Sequence, residues 1–209
     1  MTFIAPDIAE EFPDLQLHAR TLEARSGPSS PELRERLRVL SSRFRGAQAI
    51  ELRRQPIPHA YRIFFRHIGL DPDEHHTPVE ALALERLKAG GFPSRSVLDD
   101  AITLAVMETG VPVWALDADR LEGEVGLRAA ERGERLGGGE YAHDLPTGRL
   151  VLADDAGPVG VLFGVLAPGR GVGPRTTRIT LLALQVAGVP DIHVEEALWT
   201  VADILGEEG

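Results

Sequence analysis

Cysteine is absent from the sequence. That removes disulfides, thiolate metal ligands and cysteine nucleophiles together, while saying little about compartment. Long apolar runs are missing too. No stretch approaches the roughly 20 consecutive apolar residues that a membrane-spanning helix needs. The opening residues carry Asp7, Glu10 and Glu11 without a basic run, unlike a signal peptide, so cytoplasm is the expected compartment. Net positive charge is lacking as well: the chain stands at −10 with a pI near 5.2. No whole-molecule field draws it to nucleic acid, and duplex DNA is not an expected partner. Any RNA contact has to be local. Familiar catalytic signatures are also missing: there is no Gly-x-Ser-x-Gly elbow, Walker loop or His-Glu-x-x-His helix. Gly169-Arg170-Gly171-Val172-Gly173-Pro174 is glycine-rich, but its proline and the strand pattern after it leave no helix N-terminus for a phosphate. No cofactor is expected.

What is present is an ordinary globular composition, 43% apolar and 26% charged over 209 residues, enough for one large domain with a real core. Leu15, Leu17 and Ala19 alternate with polar residues, the pattern of a half-buried strand. Ser30-Pro31 opens a helix whose apolar stripe is Leu33, Leu37, Leu40 and Phe44. A second helix is expected over 58–68, with Ala60, Phe64 and Ile68 inward and Gly69 as its stop. Thr77-Pro78-Val79-Glu80 is a capping box for a helix ending at Gly90-Gly91. Ser96 caps another that bears Leu98, Ala101, Ile102 and Ala105 and ends at Gly110. Strands follow at 111–116, 124–129, 148–153, 159–166 and 177–186, then an amphipathic helix at 194–205. Helices gathered early and strands late indicate α+β rather than repeated βαβ units.

Several residues could carry chemistry. Asp71, Asp73, Glu74, His75 and His76 form an acid and imidazole cluster, read as a solvated loop feeding the Thr77 cap rather than as a metal site. Asp99-Asp100 and Asp154-Asp155 are paired carboxylates of the kind used for acid–base work or for gripping an ammonium. Each has a structural alternative: Asp99 as a helix-capping residue, Asp154-Asp155 with Ala156-Gly157 as a turn. Ser94 follows Gly90-Gly91-Phe92-Pro93, a loop able to offer amide N–H groups to an anion, or simply a link between helices. Arg34, Arg36, Arg38, Arg43, Arg45, Arg53 and Arg54 are interrupted only by the acids Glu35 and Glu51. A solvated helix face explains most of that run, and RNA contact is the other reading.

Read in order, Tyr61-Arg62, Phe65, Gly69, Pro72, Pro78-Val79-Glu80-Ala81-Leu82, Arg86, Gly90-Gly91-Phe92-Pro93-Ser94 and Leu98-Asp99 resemble a known family. So do Gly110-Val111-Pro112-Val113, Asp117, Leu121-Glu122-Gly123, Leu127-Arg128-Ala129-Ala130 and Gly133-Glu134. The family is the freestanding relatives of the tRNA-editing domain of the phenylalanyl-tRNA synthetase beta subunit, its third and fourth "B" modules. The resemblance runs from about His59 to Gly188. It implies one editing-type domain over 1–209, with an N-terminal strand and helix (1–57) and a C-terminal helix (193–206) packed on it. The implied fold is α+β in three layers, a β-sandwich core flanked by helices. A pocket between sheet and helices would take an aminoacylated tRNA end or its amino-acid moiety. The implied chemistry is hydrolysis of the misacylated ester by a positioned water, helped by the substrate's own ribose hydroxyl and needing no covalent nucleophile.

From that resemblance the candidate ligand residues are Arg62, Gly91, Ser94, Asp99, Asp117, Asp154 and Thr177. Arg62 would face phosphate, and Asp99 and Asp154 would hold the amino group or orient water. Gly91 and Ser94 would supply donors. The chain also departs from the family's pattern. Phe163-Gly164-Val165-Leu166-Ala167-Pro168-Gly169 replaces an aromatic and charged run, no acid lies between Asp155 and Asp191, and Ile102 stands where relatives have asparagine. These changes make the expected pocket more apolar. A non-catalytic module for an amino acid, RNA or protein partner, or a small-molecule hydrolase, therefore stays open beside the deacylase.

Overall fold

The computed structural model describes residues 2–44 and 46–207, so Arg45 of the arginine run lies outside the described residues. The elements in chain order are β1 (Thr2–Ile4), α1 (Pro6–Glu11), β2 (Gln16–Glu23), α2 (Pro31–Arg43), α3 (Gly46–Leu52), α4 (Pro56–His67), α5 (Pro78–Ala89) and α6 (Val97–Thr109). They continue as β3 (Val113–Asp117), β4 (Val125–Ala129), β5 (Arg135–Leu136), β6 (His143–Asp144), β7 (Leu150–Asp154), β8 (Gly157–Val161), β9 (Arg178–Gln185) and α7 (Asp191–Glu207).

Two sheets carry the core. One has the order β1-β4-β7-β8, with β1 and β4 parallel and the other pairs antiparallel; the second is antiparallel with the order β2-β9-β3. Ile179, Leu181 and Ala183 on one face of β9, and Leu182 and Leu184 on the other, are all fully buried. Each of the isoleucine and leucine side chains contributes about 1.5–3 kcal/mol. Helices α6 and α7 pack on the three-stranded sheet. One apolar cluster joins Leu37, Phe64, Leu104, Leu152, Leu181 and Val201, so helices and both sheets share a core. The expected α+β fold, sheets flanked by helices, is what the chain forms. A smaller cluster around Val151 and Ala153 is covered by Leu136 and Leu145, beside the short β5–β6 hairpin.

Local signals place most helix ends. Ser30 accepts from the Leu33 amide at 3.1 Å, Thr77 and Glu80 close their capping box, and Ser96 accepts from the Asp99 amide at 3.2 Å. Gly69, Gly90 and Gly110 end their helices with φ of 76–78°, which L side chains rarely adopt.

Four expectations need correcting. Helix α4 begins at Pro56, and Ile68, although packed on the core as expected, is its C-cap. Phe44 likewise caps α2 in an extended conformation. On β2, Ala19 is exposed while Arg20 is half-buried, its guanidinium lying 3.9 Å from the Trp199 ring centroid. The strand expected over 159–166 ends at Val161, because Phe163 takes φ 56° and the chain turns. Leu162 and Phe163 pack inward there while Gly164 and Val165 are exposed, a turn that an apolar run alone does not distinguish from a strand.

Candidate functional site

The connection between α5 and α6 is tied down from within. Ser41 on α2 accepts the Phe92 amide at 3.1 Å through its hydroxyl, and its carbonyl accepts from Arg86 Nε at 3.1 Å. The Ser94 hydroxyl donates to Asp100 Oδ2 at 2.5 Å, the Ser29 hydroxyl donates to the same oxygen at 2.6 Å, and the Arg95 amide donates to Oδ1 at 3.0 Å. Asp100 is 1% exposed, so this carboxylate holds three chain segments together. The loop was expected to aim amides at a ligand. Its Phe92 and Arg95 amides instead have internal acceptors. Gly91 lies half-buried beside Ser41, where an added Cβ would stand 3.4 Å from the hydroxyl.

Asp99, the carboxylate singled out from the sequence, is exposed and accepts from the Ser96 hydroxyl at 2.6 Å. It serves the cap. Asp100 was named only as half of a pair, although a signal for its inward place existed: it lies three residues after Val97 and four before Leu104, both buried.

Asp154 has a side chain with no solvent exposure. Its Oδ2 accepts from the Glu122 amide at 2.9 Å and from Arg170 at 2.8 Å, and its Oδ1 accepts from the Ala156 amide at 3.0 Å. A carboxylate surrounded by these donors has no free face toward a water or an ammonium, which corrects its expected role. Arg170 also reaches the Arg120 carbonyl, and its own carbonyl accepts the Asp117 amide at 3.0 Å. Asp117 in turn accepts the Thr176 hydroxyl at 2.7 Å and the Asp119 amide at 3.1 Å. Asp117 and Asp154 are therefore brought together, as anchors of the loops at 118–122 and 167–176.

Arg62 is turned inward. It is 6% exposed and bonds Glu80 and Asp73 at 2.7 Å each, with the Pro72 carbonyl at 3.3 Å. Arg53 approaches the same two acids at 3.6 Å. The bond from Arg62 holds the Asp73 carboxyl below its ordinary range. Arg62 ties α4 to the capping box of α5, so the phosphate contact expected of it is occupied by carboxylates. Among the described residues no group of His, Asp and Glu could hold a metal ion.

Between α4 and β3, space is filled by aromatic rings. Phe163 stands 4.5 Å from Phe65, 5.3 Å from Trp114 and 6.2 Å from Phe64, centroid to centroid. It is the one described non-glycine residue with positive φ. Of the 163–169 run, Phe163 joins this cluster while Gly164 and Val165 are exposed.

An open cleft lies elsewhere. A cleft of about 610 Å³ is lined by residues 23–28, Val97 and Thr177. Thr177 immediately precedes β9, and Val97 is the first residue of α6, its amide donating to the Gly27 carbonyl at 2.9 Å. Glu23 and Arg25 are exposed at the rim, and Ser26 and Thr177 are half-buried, so the walls offer both charges and two hydroxyls. The volume lies within the usual range for small-molecule sites. Of the seven candidate residues Thr177 alone lines this cleft. Its 23–28 wall was passed over because an irregular segment has no periodicity to mark it.

An α+β domain with helices on a pair of sheets, and a cleft where α6 meets β9, is the class defined here. Residues 60–195 match the B3/4 domain family, and the chain belongs to that family. It is similar to the phenylalanine–tRNA ligase beta subunit of Streptomyces avermitilis, 38% identical over 101 residues, 47% of this chain and 11% of that one. It is also similar to the same subunit of Xanthomonas axonopodis pv. citri, 30% identical over 145 residues, 66% of this chain and 16% of that one. The chain thus spans a small fraction of these relatives. An N-terminal fragment of the phenylalanyl-tRNA synthetase beta subunit from Pyrococcus horikoshii aligns with TM-score 0.43 and 18% identity, over 53% of this chain and 40% of that one. No described helix is long and apolar enough to cross a membrane.

Proposed function

We propose that this chain is a tRNA-binding domain of the editing type, which takes the aminoacylated end of a tRNA into the cleft between residues 23–28, Val97 and Thr177 and hydrolyses the misacylated ester in trans. The cleft is the observation that carries this reading, being open, sufficiently large and chemically mixed. Glu23 would hold the ammonium, Arg25 a phosphate, and the Thr177 and Ser26 hydroxyls the ester and ribose oxygens. With Asp154 enclosed and Asp99 spent on its cap, hydrolysis would rest on a positioned water and the substrate's ribose hydroxyl. A second reading, a non-catalytic module of the same fold, is favoured by that same withdrawal of both candidate carboxylates.

Deacylation of a panel of correctly and incorrectly charged tRNAs tests the first reading. Release above the spontaneous rate on at least one misacylated tRNA is expected. Thr177→Val should slow it about tenfold, the worth of one hydrogen bond near 1.4 kcal/mol. Binding without turnover on every tRNA would leave the module reading standing and remove the hydrolase.

A further inference from the structure

The cleft wall leads directly into the most basic part of an acidic chain. After Gly27 and Pro28, Ser29 is buried on Asp100 and Ser30 caps α2. Helix α2 therefore starts next to the cleft and runs about 20 Å at 1.5 Å per residue. Its inward side is Leu33, Leu37, Leu40 and Ser41; exposed Arg34 and Arg38 lie on one flank, and exposed Arg36 and Arg43, with Glu32 a turn before them, on the other. Arg36 and Arg43 are seven residues apart, nearly two full turns, and share one face.

Of these arginines, Arg36 and Arg43 are not consumed by the protein. Arg38 pairs with Glu35 at 2.5 Å, and Arg34 reaches only the Ser30 carbonyl, at 3.3 Å. Arg36, Arg43 and, beyond α3, Arg54 form no ion pair with a described residue, nor does Arg25 at the cleft. Arg62, Arg95, Arg128, Arg170 and Arg178 are each matched to a carboxylate, while Arg66, Arg120, Arg132 and Arg175, outside α2, also form no ion pair with a described residue. Unmatched cations collected on one helix, in a chain of net charge −10, are a local attraction for a polyanion. Guanidinium forks suit phosphate geometry. This face lies outside the 60–195 family match.

We infer that the exposed flank of α2 that carries Arg36 and Arg43 is the docking surface for the phosphate backbone of a structured RNA whose end enters the neighbouring cleft. The inference rests on the cleft reading for the identity of that RNA, a tRNA, but not on any hydrolysis.

The test is binding of uncharged tRNA to the full chain over a range of salt concentrations, comparing wild type, R36Q/R43Q, and R66Q/R132Q as an equal charge change at exposed arginines elsewhere. R36Q/R43Q is expected to weaken binding about tenfold near 0.1 M salt and to reduce the salt slope by about 1.5, two phosphate contacts at ~0.7–0.9 each. R66Q/R132Q should stay within about twofold, and thermal melting of both variants should match wild type, since all four side chains are exposed. Unchanged affinity and slope in R36Q/R43Q would overturn the inference. So would equal weakening by R66Q/R132Q, absence of tRNA binding by wild type, or competition by polyglutamate as strong as that by tRNA, which would make the partner an acidic polypeptide. Binding through α2 with every charged tRNA left intact removes the hydrolase and keeps this surface. Deacylation undiminished in R36Q/R43Q does the reverse.

Discussion

Two aspartate pairs read alike in the sequence and part company in the fold. At the start of α6, Asp99 faces solvent and Asp100 is buried; at the β7–β8 turn, Asp154 is buried and Asp155 is exposed. On a helix, neighbouring positions point about 100° apart, so one of two adjacent acids joins the inward stripe. On a strand, neighbours face opposite sides, and the last strand residue stays inside while the first turn residue leaves. Both inward acids are then surrounded by donors, and both pairs lose their candidacy as catalytic dyads by the same route: the buried partner is a clamp and the exposed one is solvated.

The comparison predicts a ranking of unfolding free energies in urea. Asp154→Ala, which strands Arg170 in a partly buried place, is expected to cost most, about 3–5 kcal/mol, while Asp155→Ala stays within about 0.5 kcal/mol. Equal effects at 154 and 155 would break the inside–outside distinction. Asp100→Ala comes next, at about 2–3 kcal/mol, from leaving the Ser29 and Ser94 hydroxyls and the Arg95 amide without their acceptor. Below it, Ser96→Ala should cost about 1 kcal/mol as an ordinary lost cap, and Asp99→Ala less than that. A larger penalty at 99 than at 100 would reverse the assignment. In the deacylation assay, Asp99→Asn should leave the rate unchanged within about twofold.

The smallest effect is in acid. Glu134 is held below its ordinary carboxylate range, first by its hydrogen bonds from Arg128, and Asp73 by that from Arg62. A depressed folded value means the stabilisation is present above the unfolded value, near 4.5 for Glu134 and 3.8 for Asp73, and is lost as pH falls through the lowered one. Glu134→Gln should therefore flatten the loss of stability below about pH 4.5, read from urea midpoints between pH 5 and 2. An unaltered pH profile would show that the Arg128 pair contributes nothing measurable at this partly exposed site.

Helix starts, glycine stops and the β7–β8 turn were legible because each depends on residues within about four positions: a Ser or Thr with its N3 amide, a proline in the first turn, a glycine able to take positive φ. The short β1 and α3 were not, since neither is long enough for a period to register. Arg62 and Asp154 stood out in the sequence, yet their roles were misread for one reason. A charged side chain in a family-like position looks available until its partners are in place.

By itself, then, the sequence determined the α+β class, the capped helices α2, α5 and α6, and the apolar β9 strand, all by short-range stereochemistry and hydrophobic period. The tertiary structure alone decided which carboxylates are free and where the open cleft lies. Those outcomes depend on groups far apart in the chain, Ser29 on Asp100 at 71 residues, Tyr61 on the Leu184 carbonyl at 123, Thr177 beside residues 23–28. No local rule reports whether a distant donor will arrive to occupy a charge.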